Sequence, residues 1–91
     1  MSEKDLTQIA YLIQSLVRQK ASAQKILNAV TEVNGELSAE VQQVLNVLIH
    51  EMGSSVLDEK ALRAIAGRLL KANDPVKKNA GRAAAWALET A

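Results

Sequence analysis

Apolar residues return at intervals of three and four along most of the chain. Leu6, Ile9, Ala10, Ile13, Leu16 and Val17 form one such stripe, the signature of an amphipathic helix. Ser2 and Asp5 stand at capping-box spacing, which predicts a start at Glu3. The end of this helix is open. No Gly or Pro occurs between Arg18 and Lys25, and a seven-residue repeat (Leu6, Ile13, Lys20, Leu27 with Ile9, Leu16, Ala23, Val30) runs straight through. The repeat admits one continuous helix to Val33, a coiled-coil arm, or two helices broken near Ala21 with Ser22 as the second N-cap. Lys20 and Ala23 are poor residues for the middle of a packed seam and favour the break. Asn34-Gly35 then stops the element, since Gly takes the left-handed conformation a helix end needs.

The pattern resumes after Ser38, the expected cap of a helix striped by Val41, Val44, Leu45, Leu48 and Met52 and ended by Gly53. Ser55 and Asp58 repeat the capping-box spacing ahead of Leu62, Ile65, Ala66, Leu69 and Leu70. Asn73-Asp74-Pro75 places an N-cap directly before a proline at the first helical position, where its missing N–H costs nothing. The last helix is expected from Pro75 to about Glu89, with a small inward face of Val76, Ala80, Ala83, Ala84 and Ala87. Gly81 in its middle costs about 1 kcal/mol relative to Ala unless close packing offsets it. Nothing alternates with period two, so the expected fold is all-α: a single helical domain spanning 1–91, a compact bundle of four to five short helices without β-sheet. Tyr11 and Leu12 lie off the first stripe, and Val47 and Ile49 flank the third. Their helices are either central, buried on two sides, or part of a homodimer interface.

Composition narrows the chemistry. Fifteen of the apolar residues are Ala, so the core falls to twenty-five Leu, Ile and Val side chains. With only Tyr11 and Trp86 aromatic and no Phe, a large aromatic cavity for a flat cofactor is not expected. The absence of Cys excludes disulfides, thiol catalysis and thiolate metal sites, and a single His leaves an imidazole metal site within one chain short of ligands. No apolar stretch is long enough to span a membrane and the N-terminus does not read as a signal peptide, so the expected location is the cytoplasm.

Charge is unevenly divided. Residues 1–59 carry four basic and eight acidic side chains, whereas residues 60–91 carry seven basic against Asp74 and Glu89. On a helical wheel Lys60, Arg63, Arg68 and Lys71 fall opposite the Leu62, Ile65, Leu69 stripe, which predicts a solvent-facing basic ridge. Lys78 and Arg82 do the same on the last helix, with Trp86 one turn further on. Such a ridge suits an acidic protein surface or a phosphate backbone, and it also suits a simply solvated helix face. Lys71 stands where it compensates a helix C-terminus.

No catalytic constellation emerges. His50 and Glu51 are adjacent in sequence and point about 100° apart on a helix, so they form no orienting pair, and His50 is expected to be exposed. The serines read as caps or turn residues, the four glycines fit no phosphate-cradling loop, and Glu-x-x-His is absent. No catalytic, cofactor-binding or metal residue is assigned. Residues 57–88, two helices joined by Asn73-Asp74-Pro75 with Val76, Ala80, Ala83, Ala84 and Leu88 on the second, resemble one HEAT-type repeat. The resemblance covers about a third of the chain and no second copy stands at an offset of about 35 to 47 residues, so it implies no solenoid and brings no function.

The expected function is therefore non-enzymatic: a small helical adaptor, inhibitor or immunity-type regulator that binds a protein, with an acidic surface as the natural match. The contact residues are expected to be Arg63, Arg68, Lys71, Lys78, Arg82 and Trp86. A nucleic-acid-binding regulator using the same ridge and a self-assembling structural protein, beginning with a homodimer, are the competing readings. Membrane attachment is not expected, because the apolar side of the last helix is mostly methyl groups.

Overall fold

A computed structural model describes residues 3–32 and 39–90. Five α-helices follow one another: α1 (Glu3–Arg18), α2 (Ala23–Glu32), α3 (Ala39–Met52), α4 (Glu59–Leu70) and α5 (Pro75–Thr90). No strand occurs among the described residues, and the only extended pairing there is an isolated antiparallel bridge between Ser22 and Val56. The all-α bundle expected from the periodicity is the fold. Asn34, Gly35 and Ser38, expected at the end of α2 and the cap of α3, lie outside the described residues.

The chain breaks between α1 and α2. Lys20 takes a left-handed conformation with φ of 51°. Around it the Lys20 N–H donates to Val17 O at 3.1 Å and the Ala21 N–H to Leu16 O at 3.0 Å. These are the two bonds of a Schellman motif, with Ala21 folded back onto the Leu16 end of the helix; both side chains are buried. The left-handed position is usually Gly, and an L-residue with a Cβ loses about 1–2 kcal/mol there. Ser22 then caps α2, its Oγ accepting the Lys25 N–H at 3.2 Å. Ala21 O accepts the N–H of the buried Leu57 at 2.8 Å, tying this turn to the α3–α4 connection.

The remaining boundaries follow local chemistry, with one correction. Gly53, at φ of 60°, ends α3. Ser55, expected by its spacing to open α4, instead donates its hydroxyl to Met52 O at 2.7 Å and closes α3. Asp58 is the α4 N-cap, its Oδ1 accepting the Ala61 N–H at 2.7 Å. A carboxylate satisfies the orphan N–H groups more strongly than a hydroxyl three residues earlier, and it adds a negative charge at the positive end of the helix dipole. Leu57 and Leu62 flank the cap at the spacing of a hydrophobic staple, and both are fully buried. Asp74 caps α5 as expected, its Oδ1 accepting the Val76 N–H at 2.8 Å across Pro75.

The core is a single cluster to which all five helices contribute. Ile9, Ile13 and Leu16 come from α1, Ile26 from α2, Val41, Val44, Leu45, Leu48 and Met52 from α3, and Leu62, Ile65 and Leu69 from α4. At its centre lies α5, which packs against α4, α1 and α3. Ala80, Ala83, Ala84 and Ala87 are all buried, and their small side chains allow three larger helices to close in around one axis. Gly81 is where α4 comes nearest: a Cβ there would stand 2.9 Å from Leu70 N and 3.0 Å from Leu69 Cβ. Close packing thus offsets the helical cost of this glycine. The off-stripe residues divide. Leu12, Val47 and Ile49 pack partly against the core, in line with central helices, whereas Tyr11 is 66% exposed. No helix among the described residues is long and apolar enough to cross a membrane.

Candidate functional site

The interior offers no polar chemistry. Every buried side chain among the described residues is apolar, and none leaves a buried nitrogen or oxygen unpartnered. Any site built by the described residues is therefore on the surface. His50 is exposed on α3, opposite that helix's buried stripe, as its position on the wheel predicts.

The basic positions form two stripes, one on α4 and one on α5. Burying Leu62, Ile65, Ala66 and Leu69 turns Lys60, Arg63, Ala64, Gly67, Arg68 and Lys71 outward, and all six are exposed. Arg63 and Arg68 point about 140° apart and so occupy opposite edges of this face. Arg63 Nη2 meets Glu59 Oε1 at 2.6 Å, one turn away and well exposed on both sides. Arg68 Nε reaches across to Glu51 Oε1 of α3 at 3.3 Å. The Arg63–Glu59 pair stands in solvent, where such contacts are worth only about 0.2–1 kcal/mol, whereas the Glu51 side chain is only 21% exposed and its pair with Arg68 is partly sheltered. Lys71 is the C-cap of α4, and it makes no ion pair among the described residues.

The middle of the α4 face is bare. Gly67 lies one turn from both Arg63 and Lys71, and apart from its chain neighbours and the adjoining backbone of its own helix nothing among the described residues comes within 4 Å of the place its Cβ would occupy. With Ala64 beside it, a patch of helix backbone is left accessible, ringed by Lys60, Arg63, Arg68 and Lys71.

On α5 the exposed strip is narrow because three helices cover the rest. Lys78 and Arg82 share it at i, i+4 spacing and have no ion pair among the described residues. Trp86 stands one turn later but is half-buried, packed against the core. Its side chain acts first as a packing group. The six expected contact residues are thus all on the surface to some degree, and the structure groups them as a pair with Trp86 on α5 and a broader array on α4.

Two features escape sequence reasoning. Gly67 reads there only as one of four scattered glycines; its signal is a mid-helix Gly on the polar face. The second is an open cleft of about 340 Å³ between α1, α4 and the end of α5. Its floor is Val17, Leu62, Ala87 and Leu88, with Gln14, Arg18 and Glu59 around it. Gln14 Nε2 donates to Ala87 O at 3.2 Å and holds α1 to α5 beside it. This cleft could seat an aliphatic group. It depends on the approach of three helices, which no local pattern announces.

No protein-family model, curated protein or solved structure matches the chain. Function rests on the geometry alone.

Proposed function

We propose that this protein acts without catalysis, by binding another protein through the outward face of α4, with the Lys78–Arg82 strip of α5 beside it. The observation that carries the reading is Gly67. A glycine inside a helix costs about 1 kcal/mol relative to Ala, and at Gly81 the fold uses that cost to bring two helices together. At Gly67 nothing among the described residues uses it. A partner segment lying across Ala64 and Gly67 could approach the helix backbone closely while its carboxylates met the surrounding Lys and Arg side chains. Arg forks and Lys charges favour an acidic surface and would speed encounter. An adaptor, an inhibitor and an immunity-type regulator all work in this way.

The test is affinity capture followed by a direct binding measurement on the captured protein. Gly67→Gln fills the bare patch, and Lys71→Glu combined with Arg82→Glu reverses two cations that hold no ion pair among the described residues. Each variant is expected to fold normally and to weaken binding at least tenfold, the scale of one to two lost contacts. Unchanged affinity in both would dismiss this face as the site. Retention on duplex DNA at low salt, falling steeply as salt rises, would instead favour a nucleic-acid partner.

A further inference from the structure

The turn between α1 and α2 is made from residues that prefer to be helical. Residues 18–25 read Arg-Gln-Lys-Ala-Ser-Ala-Gln-Lys, with no Gly, Pro, Asn or Asp, and Arg, Gln, Lys and Ala rank among the better helix formers. At its apex Lys20 sits at φ of 51°, where a β-carbon is strained. Local bonds hold the bend, the Schellman pair at Lys20 and Ala21 and the Ser22 cap, and tertiary contacts reinforce it: Ala21 is buried against the core, and Leu57 N–H binds Ala21 O at 2.8 Å. The heptad register of Leu6, Ile13, Lys20 and Leu27 with Ile9, Leu16 and Ala23 carries across the bend, with Lys20 and Ala23 its weak positions.

We infer that this turn is a hinge through which two copies of the chain exchange α1. Straightening residues 19–22 into helix releases Lys20 from the left-handed region and restores the i to i−4 ladder across the turn. It also carries α1 away from its own body. α1 packs on α5 and α3, α2 packs on α3, and α1 and α2 share little contact with each other, so α1 is a separable element. The surface it vacates, formed by α3 and α5, is complementary to α1, so α1 of a second copy fits it without repacking. All core contacts of Ile9, Ile13 and Leu16 are then remade between chains. Against exchange stand the lost Leu57–Ala21 bond, the lost Ser22 cap and Ser22–Val56 bridge, and the cost of bringing two chains together, so the closed monomer prevails in dilute solution. Short strained hinges are a known route to such dimers. The inference does not depend on the basic face.

The experiment is refolding from denaturant at about 1 mM and at about 10 μM protomer, with the products separated by size and the dimer then diluted. Wild type is expected to yield, at the higher concentration only, a dimer that persists for hours after dilution. Lys20→Gly removes the strain and is expected to cut the dimer yield about tenfold or more. Lys20→Leu keeps the strain and adds an apolar residue to the heptad, and is expected to raise the yield severalfold. Lys71→Glu with Arg82→Glu is expected to leave the yield unchanged. A wild-type chain that refolds only to monomer overturns the inference. So does a dimer that dissociates within seconds, one whose yield the two Lys20 substitutions leave unaltered, or one that the charge reversals abolish.

Discussion

Lys20 shows how a single residue can be wrong for its own position and right for the fold. Its φ of 51° completes the Schellman motif that ends α1, yet the sequence places there a residue with a β-carbon and a strong helix preference. Lys20→Gly should therefore stabilise the monomer by roughly 0.5 to 1 kcal/mol, the steric gain less the extra freedom glycine has when unfolded. A higher urea midpoint with an unchanged slope would confirm it. The break itself is legible in the sequence, because Lys20 and Ala23 fit a packed seam badly and Ser22 is a good cap. Its geometry is not, because the usual glycine marker is missing. Ser55 and Asp58 illustrate the reverse: two acceptable caps stand three residues apart, and spacing alone cannot decide which of the two helix ends each will serve.

At the scale of elements, α4 and α5 meet through Gly81 while α4 faces outward through Gly67, and the two glycines should answer the same substitution with opposite signs. Gly67→Ala meets nothing and gains helix propensity, so stability is expected to rise by about 1 kcal/mol. Gly81→Ala drives a methyl group against the Leu70 backbone nitrogen, which cannot swing aside, and a net loss of about 1 to 3 kcal/mol is expected. Thermal unfolding of the two variants side by side is the check. Equal stabilisation in both would mean that α4 and α5 do not approach as closely as 2.9 Å implies. The alanine face of α5 is plain in the sequence, since Ala80, Ala83, Ala84 and Ala87 keep helical spacing. That α5 is wrapped on three sides is not, because the same spacing also describes a helix laid against a single neighbour.

For the whole molecule, helix periodicity reveals the architecture while the arrangement of charge reveals only an outline. The wheel correctly turns Lys60, Arg63, Arg68 and Lys71 to solvent, as the buried stripe of α4 leaves no other side for them. It places Trp86 at the border of the polar side, in line with its half-buried state, but it cannot foresee that Arg68 reaches Glu51 on α3 or that Val17 and Leu88 border one cleft, since each depends on contacts between distant elements. The central place of α5 bears on assembly as well. The element against which α1, α3 and α4 all pack comes after them in the chain, and it contributes Ala80, Ala83, Ala84 and Ala87 to the interior. A fragment of residues 1–74 should show residual helicity, bind a hydrophobic dye and melt without a cooperative transition; a sharp melt would contradict this. During synthesis the earlier helices must then wait, with Leu-rich faces unsheltered, until Pro75 and the rest of α5 have cleared the ribosome. Closure cannot precede α5, and the emerging chain is then most open to capture by chaperones, or by another copy of itself, just before that helix appears.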